Sequence, residues 1–409
     1  MRRVAKVVIA CFLGATVVSP VSVLADEEVV QTPTEARESD LKSVAAARGW
    51  TVAEARAQIE ASEEARRIGQ EIRQRRPDIY IGAALSDKPG GPPSLYVKGP
   101  APEFVEDLVA KAASPMKLVD GQPYSRDELQ ARAERVFDSL LEAGYKQVTT
   151  DVDITGAGTI PVAVLETAGL SSKTSEVLAR VPSGLRSSVE LTVSQKPFGD
   201  GDHARGGPEI YPHAYPGSFC TAGFSVEHQT NGKKGVVSAG HCGKKVGEVV
   251  HSVDRMHNSN PHTLWIQDEY RGYWGDVEWY TTDATEEPTF RATSSLVRDV
   301  LYRRKAEDIQ VNDPQCLWGM GGGGHHDCSA DVLYVSRQCC CTASGGNYQR
   351  MVVMDKDVGL GGDSGGPWYW NNTAVGIHHG DCSLVPNKDA FTPIDFLDEA
   401  MSVTVMKAE

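Results

Sequence analysis

No cysteine occurs between residues 26 and 219 of this 409-residue chain, although the whole chain has nine. Cys11 lies in the apolar start, and the other eight fall between Cys220 and Cys382. An even number in an exported chain suggests disulfides, and their confinement marks the second half as the part that must survive outside the cell. Positive charge is also scarce. With 41 basic against 55 acidic residues the formal charge is −14, which excludes nucleic acid as the expected partner and speaks mainly to solubility. No apolar run reaches membrane length. The run Val7–Val18 is too short to span, follows Arg2, Arg3 and Lys6, and precedes Val23-Leu24-Ala25. Residues 1–25 therefore read as a secretory signal peptide, with a secreted, extracellular product and no membrane partner.

What is present divides the chain. The 40% hydrophobic content is enough for more than one core. From Asp26 to Arg76 the sequence is rich in Ala, Glu, Arg and Gln; Thr51 and Glu54 form a capping box for a helix carrying Ala57, Ile59 and Ile68, which Pro77 ends. Residues 79–85 and 94–97 read as strands around the turn Pro89-Gly90-Gly91-Pro92-Pro93. Helices are expected from Pro102 to Ala113 and from Ser125 to Ala143, the second with Leu129, Ala133, Val136 and Leu140 on one face. Strand-like runs follow at 147–154, 160–165 and 188–193. Residues 26–200 thus read as an α+β region without a catalytic constellation. Residues 201–215, rich in Gly, Pro, His and charge, read as a linker.

Residues 216–409 change character. Short strands alternate with glycine-rich turns, the signature of a mainly β sandwich or barrel. A terminal helix is expected with Thr392 as cap and Pro393 at its first position.

The organising stretch is Gly362-Asp363-Ser364-Gly365-Gly366-Pro367. A serine hydroxyl needs a neighbouring base before it can act as a nucleophile. Glycines on either side let the backbone turn tightly, so that the N–H groups of Gly362 and Ser364 can form an oxyanion hole. A base and an orienting carboxylate are available in His241, within Ser238-Ala239-Gly240-His241-Cys242, and Asp276, within Gly275-Asp276-Val277-Glu278-Trp279. Asp254, Asp268 and Asp283 lie nearby; Asp276 is preferred because the strand-like run Val277–Tyr280 follows it. The run around Ser364 also fits the G-x-S-x-G elbow, but that elbow requires the order Ser, Asp, His, and here the order is His, Asp, Ser.

These motifs resemble those of the chymotrypsin-like serine peptidases, in particular the secreted bacterial branch with the streptogrisins and alpha-lytic protease. The resemblance covers roughly residues 206–400. It implies two six-stranded β-barrels with His241, Asp276 and Ser364 in the cleft between them, preceded by a propeptide-like α+β domain. It implies a secreted serine endopeptidase acting on proteins or peptides through an acyl-enzyme, made as a proenzyme whose N-terminal region serves as inhibitor or folding aid and is removed by processing in the linker. No cofactor is implied. The same triad on another substrate would hydrolyse esters, and a peptidase scaffold can also serve as a non-catalytic binding protein.

The resemblance also implies disulfides Cys220–Cys242 and Cys316–Cys328. It leaves Cys339, Cys340, Cys341 and Cys382 unassigned, because Leu360 stands where relatives often have a cysteine. The cysteine triplet, His325-His326 and His378-His379 match no metal-binding spacing, so no metal is expected. The specificity pocket is expected at His378, His379 and Gly380. His378 falls where glutamyl endopeptidases have a histidine that meets an acidic side chain. The linker contains no Ile-Val-Gly-Gly start, so Asp363 is expected to find an internal partner such as an arginine.

Overall fold

The computed structural model describes residues 29–165, 173–194, 209–212, 220–243, 246, 247, 249–253, 262–341, 346–381 and 388–409. The leader and most of the linker lie outside them.

The N-terminal region starts with a short strand, Val29–Gln31, parallel to Leu296–Asp299, and continues with two helices. Pro33–Arg48 is capped by Thr32 and Glu35, and Val52–Arg75 by Thr51 and Glu54, each a reciprocal capping box. The first helix was not expected from the sequence, although Thr32-Pro33-Thr34-Glu35 is the same signal as the one at Thr51. Gly49, in the left-handed conformation (φ 67°), ends the first helix and lets the second begin almost at once. The longer helix buries Ala65, Ile68 and Ile72 against Tyr80, Leu95, Val97 and Val105, closing a small core over the strands Tyr80–Ala84, Ser94–Lys98 and Lys117–Gln122. The helix Arg126–Glu142, boxed by Ser125 and Glu128, packs Val136, Phe137 and Leu140 into a larger core shared with the C-terminal half.

The C-terminal half is mainly strand. One sheet of eight strands includes Lys234–Ser238, His262–Gly272 and Gly275–Thr282, and has the terminal strand Val403–Val405 at one edge. A larger sheet includes Cys316–Gly319, Pro367–Trp370, Thr373–Asp381, Asp389–Pro393, Gly346–Met354 and Val332–Cys341. The architecture is chymotrypsin-like, but among the described residues neither sheet closes into a six-stranded barrel. The second sheet also runs on beyond the β domain. Its strand Val332–Cys341 pairs antiparallel with Val148–Asp151, and Ile160–Leu165 and Val189–Ser194 continue beyond. The N-terminal region thus occupies a sheet edge that would otherwise leave backbone groups unpaired.

Two boundaries differ from expectation. Glu209–Pro212, read as linker, is a strand paired with Val249–Val253 and with Cys220–Thr221, so the β domain begins before residue 216. Thr392 and Pro393 end the strand Asp389–Pro393, and the last helix is Phe396–Met401. Thr392 is needed in the strand, where its hydroxyl accepts the Asp276 backbone N–H at 3.0 Å.

Candidate active site

Register brings the three motifs together. Lys234–Ser238 and Gly275–Thr282 run antiparallel with Ser238 opposite Glu278. Continuing that pairing past the end of the strand sets Gly240 beside Asp276, and a Cβ at Gly240 would lie 2.8 Å from Asp276 Oδ1. His241 follows directly and turns its ring onto the carboxylate. On the other sheet, the turn at 362–366 feeds the strand Pro367–Trp370. That strand pairs with Thr373–Asp381 so that Pro367 faces Ile377, which brings His378 and His379 alongside the nucleophile turn.

The resulting geometry is tight. His241 Nδ1 lies 2.5 Å from Asp276 Oδ2, and His241 Nε2 lies 3.0 Å from Ser364 Oγ. Asp276 is fully buried. Burial pushes its pKa up, but the charge interaction and hydrogen bond with His241, together with those of His379, outweigh this and hold it well below the usual carboxylate range. It is therefore an ionised acceptor and fixes the Nδ1–H tautomer of His241, leaving Nε2 free to accept the serine proton. Of the alternatives, Asp268 accepts the Glu269 backbone N–H, and Asp283 pairs with His262; Asp254 lies outside the described residues.

The nucleophile turn is built from backbone contacts. Gly362 (φ 112°) and Gly365 (φ 87°) lie in the left-handed region, and a Cβ at Gly365 would meet Ser238 Oγ at 2.0 Å. The Thr221 N–H donates to Ser364 O at 2.7 Å, and its hydroxyl donates to Gly362 O at 2.7 Å. Among the described residues the backbone N–H groups of Gly362 and Ser364 have no hydrogen-bond partner, which leaves both available for an incoming oxygen.

Among the described residues Asp363 meets no arginine. Its carboxylate accepts the Gly321 N–H at 2.6 Å and the Leu360 N–H at 2.8 Å, and lies 3.1 Å from His325 Nδ1. The hydrogen bond to Asp363 raises the His325 pKa against the opposing effect of burial. Sequence reading missed this residue; its only visible signal was the glycine run 321–324, which lets the chain bend back toward residue 363.

Cys220–Cys242 and Cys316–Cys328 are disulfide-bonded. Cys339 is also disulfide-bonded. The clusters Cys220/His241/Cys242 and Cys316/His326/Cys328 therefore offer no thiolate to a metal. His241, Asp276 and His379 bring ligand-type atoms within 4.8 Å of one another, but both imidazoles are already hydrogen-bonded to the carboxylate.

The three residues assigned to the specificity pocket separate. His378 is buried, and its Nδ1 accepts the Trp368 indole N–H at 3.1 Å. Because indole can only donate, the ring is the neutral Nε2–H tautomer. Nε2 lies 3.8 Å from Asp389 Oδ1. His379 turns away from a pocket: its Nδ1 lies 2.7 Å from Asp276 Oδ2, and its ring packs against Tyr348. The reason is an irregularity in pairing. His378 faces Phe391 and Gly380 faces Ala390, so His379 is the extra residue of a bulge, which re-aims its side chain. Gly380 takes the positive φ of 110° that follows the bulge.

A family model described as Trypsin matches residues 210–399. No curated protein matches the chain. Among solved structures, the chain is similar to a Nocardiopsis protease (16% identity, 49% of this chain and 98% of that one, TM-score 0.38). It is also similar to a glutamic acid specific serine protease described as using a histidine triad in substrate binding (22%, 49% and 99%, 0.37). A third similar structure is a Cellulomonas bogoriensis chymotrypsin (20%, 50% and 98%, 0.36). Residues 210–399 of the chain form a domain of the chymotrypsin-like serine peptidase family.

Proposed function

We propose that the protein is a secreted serine endopeptidase made as a proenzyme. The observation that carries this reading is the continuous chain Asp276–His241–Ser364, with contacts of 2.5 and 3.0 Å. Ser364 Oγ attacks the scissile carbonyl as His241 Nε2 takes its proton. Asp276 stabilises the imidazolium, and the N–H groups of Gly362 and Ser364 stabilise the oxyanion. The imidazolium then protonates the leaving amine, and water releases the acyl group by the same steps in reverse order. Within this domain family the reaction fits protein or peptide substrates.

Export is supported by the leader motif at 1–25 and by disulfides confined to the β domain. The propeptide role is supported by how the N-terminal region is attached. It adds strands to the second sheet, and Asp151 receives a bidentate, buried Arg337. Asp40 does the same for Arg298 on the opposite flank. Tyr273, three residues before Asp276, donates its hydroxyl to Glu134 of the helix Arg126–Glu142 at 3.1 Å. The processing site then falls between Lys196 and Pro208.

The test is intact mass and protein digestion by the secreted wild type beside Ser364→Ala. The expected result is trimming in the linker and digestion by wild type only, with the variant reduced at least about 10⁴-fold. A wild type that has shed its N-terminal region, retains its disulfides and still leaves protein substrates intact would overturn the peptidase reading.

A further inference from the structure

We propose that Arg271 is a positioning residue for the triad: its guanidinium grips the Gly240 carbonyl and so fixes the direction in which His241 leaves its strand. The inference rests on the serine peptidase reading above. Arg271 Nε donates to Gly240 O at 2.9 Å, and Nη2 donates to the same oxygen at 2.6 Å. The pairing of Lys234–Ser238 with Gly275–Thr282 ends at Ser238, before Gly240 is reached. Among the described residues no backbone N–H donates to the Gly240 carbonyl. The last peptide group before the catalytic base is thus held by a side chain and not by the sheet.

The need for such a hold follows from the glycine. A Cβ at Gly240 would meet Asp276 Oδ1 at 2.8 Å, and Tyr270 O and Val277 N at 3.0 Å, so only glycine lets the backbone lie this close to the Asp276 strand. The same residue type has the freest backbone, and the Gly240–His241 peptide plane turns readily unless something holds it. That plane leads into the His241 Cα. A small rotation therefore swings the imidazole away from Asp276, now at 2.5 Å, and Ser364, now at 3.0 Å. A misplacement of about 1 Å can cost roughly 10²-fold in rate. Arginine suits the task because its planar fork aims two donors together and fixes the direction of the carbonyl as well as its distance; an ammonium would fix the distance alone. The strand aims the fork. Arg271 lies opposite Asp276 in the hairpin, and Glu269, on the same face of its strand, holds Arg271 Nε with Oε1 at 2.6 Å. Glu269 also offsets the guanidinium charge, which unpaired would oppose the positive charge that His241 takes up during attack.

Replacements of the arginine test the hold. In the processed enzyme on a peptide substrate, Arg271→Ala is expected to lower kcat roughly 10²-fold with KM within about threefold. Arg271→Lys keeps the charge and the long stem but not the fork, and should lower kcat about tenfold. Because lysine preserves packing and charge, its loss reads the missing fork even if alanine disturbs folding. An alanine variant within about threefold of wild-type kcat, a loss carried by KM alone, or a lysine variant as active as wild type would overturn the proposal. A second readout does not need turnover. In Ser364→Ala protein, proton NMR should show the downfield Nδ1–H signal of His241 in its hydrogen bond to Asp276, and adding Arg271→Ala should broaden or remove it. A signal unchanged by that second substitution would overturn the inference. The same measurement separates the two readings: a signal that depends on Arg271, in a protein whose Ser364 form hydrolyses nothing, would sink the peptidase reading and leave the Arg271–Gly240 hold standing.

Discussion

The two halves of the molecule are held by different means. In the N-terminal region, helices start at reciprocal capping boxes and the region meets its neighbour through arginine–aspartate pairs. In the β domain, strands are joined by glycine turns, braced by disulfides, and the site is fixed by backbone hydrogen bonds. A charge pair can be made and later separated, whereas a disulfide and a left-handed turn would persist after the processing proposed above. The difference fits one half that can be lost and one that must endure.

The largest expected effect lies at the junction. Asp40 and Arg298 are both fully buried, and Asp40 also accepts the Asn371 backbone N–H at 2.7 Å. Removing one partner leaves an uncompensated buried charge, so Asp40→Ala should cost about 3–5 kcal/mol. Isothermal titration of the isolated region 26–200 onto the processed domain should show affinity reduced by roughly 10²-fold or more. The partly exposed Arg37–Glu63 pair lies wholly within the N-terminal region, and Arg37→Ala should leave that affinity nearly unchanged. Equal losses for the two variants would break the comparison.

A smaller effect concerns the brace of the nucleophile turn. The His325 pKa is raised above its ordinary value of 6.5 by Asp363. The protonated pair therefore contributes its full stabilisation below about that ordinary value and loses it as pH rises through the raised one. The melting temperature of the processed domain should show a downward step on the alkaline side of neutrality that His325→Gln removes. A step unchanged in the variant would assign it to another group.

The smallest effect concerns substrate choice. His378 is neutral, and its Nε2 faces Asp389, which accepts the Val358 and Gly359 N–H groups at 2.7 and 2.8 Å. Asp357 lies nearby with a pKa raised by burial and by Asp389. An acidic side chain would add a third negative group to this neighbourhood. Cleavage-site profiling should accordingly show no enrichment of Glu or Asp before the scissile bond, and Asp389→Asn should shift the profile toward them by severalfold. Strong Glu enrichment in the wild type would return His378 to the role its sequence position suggests.

Much of this was legible in the residues. The capping box at Thr51 announced its helix because the signal is local, and the apolar face at Leu129, Ala133, Val136 and Leu140 announced the helix from Ser125; the boxes at Ser125 and Thr32 were equally visible and went unread. The His241 and Ser364 motifs were readable because a nucleophile turn needs glycine at fixed offsets. The strand Glu209–Pro212 was hidden by the proline-rich, polar composition around it, since pairing with Val249–Val253 and Cys220–Thr221 supplies what its sequence does not. Thr392 looked like a helix cap because the same hydroxyl that caps a helix can accept the backbone N–H of Asp276, and only the neighbouring strand decides between them.

The sequence alone determined the division into two halves, the helices with local start signals, and the residue types of the triad, because each depends on short-range spacing. Tertiary structure decided which aspartate meets His241, that Asp363 pairs with His325, and that His379 faces Asp276. Each of these depends on strand register between distant segments and, for His379, on one bulged residue, and neither has a signature in the local order of side chains.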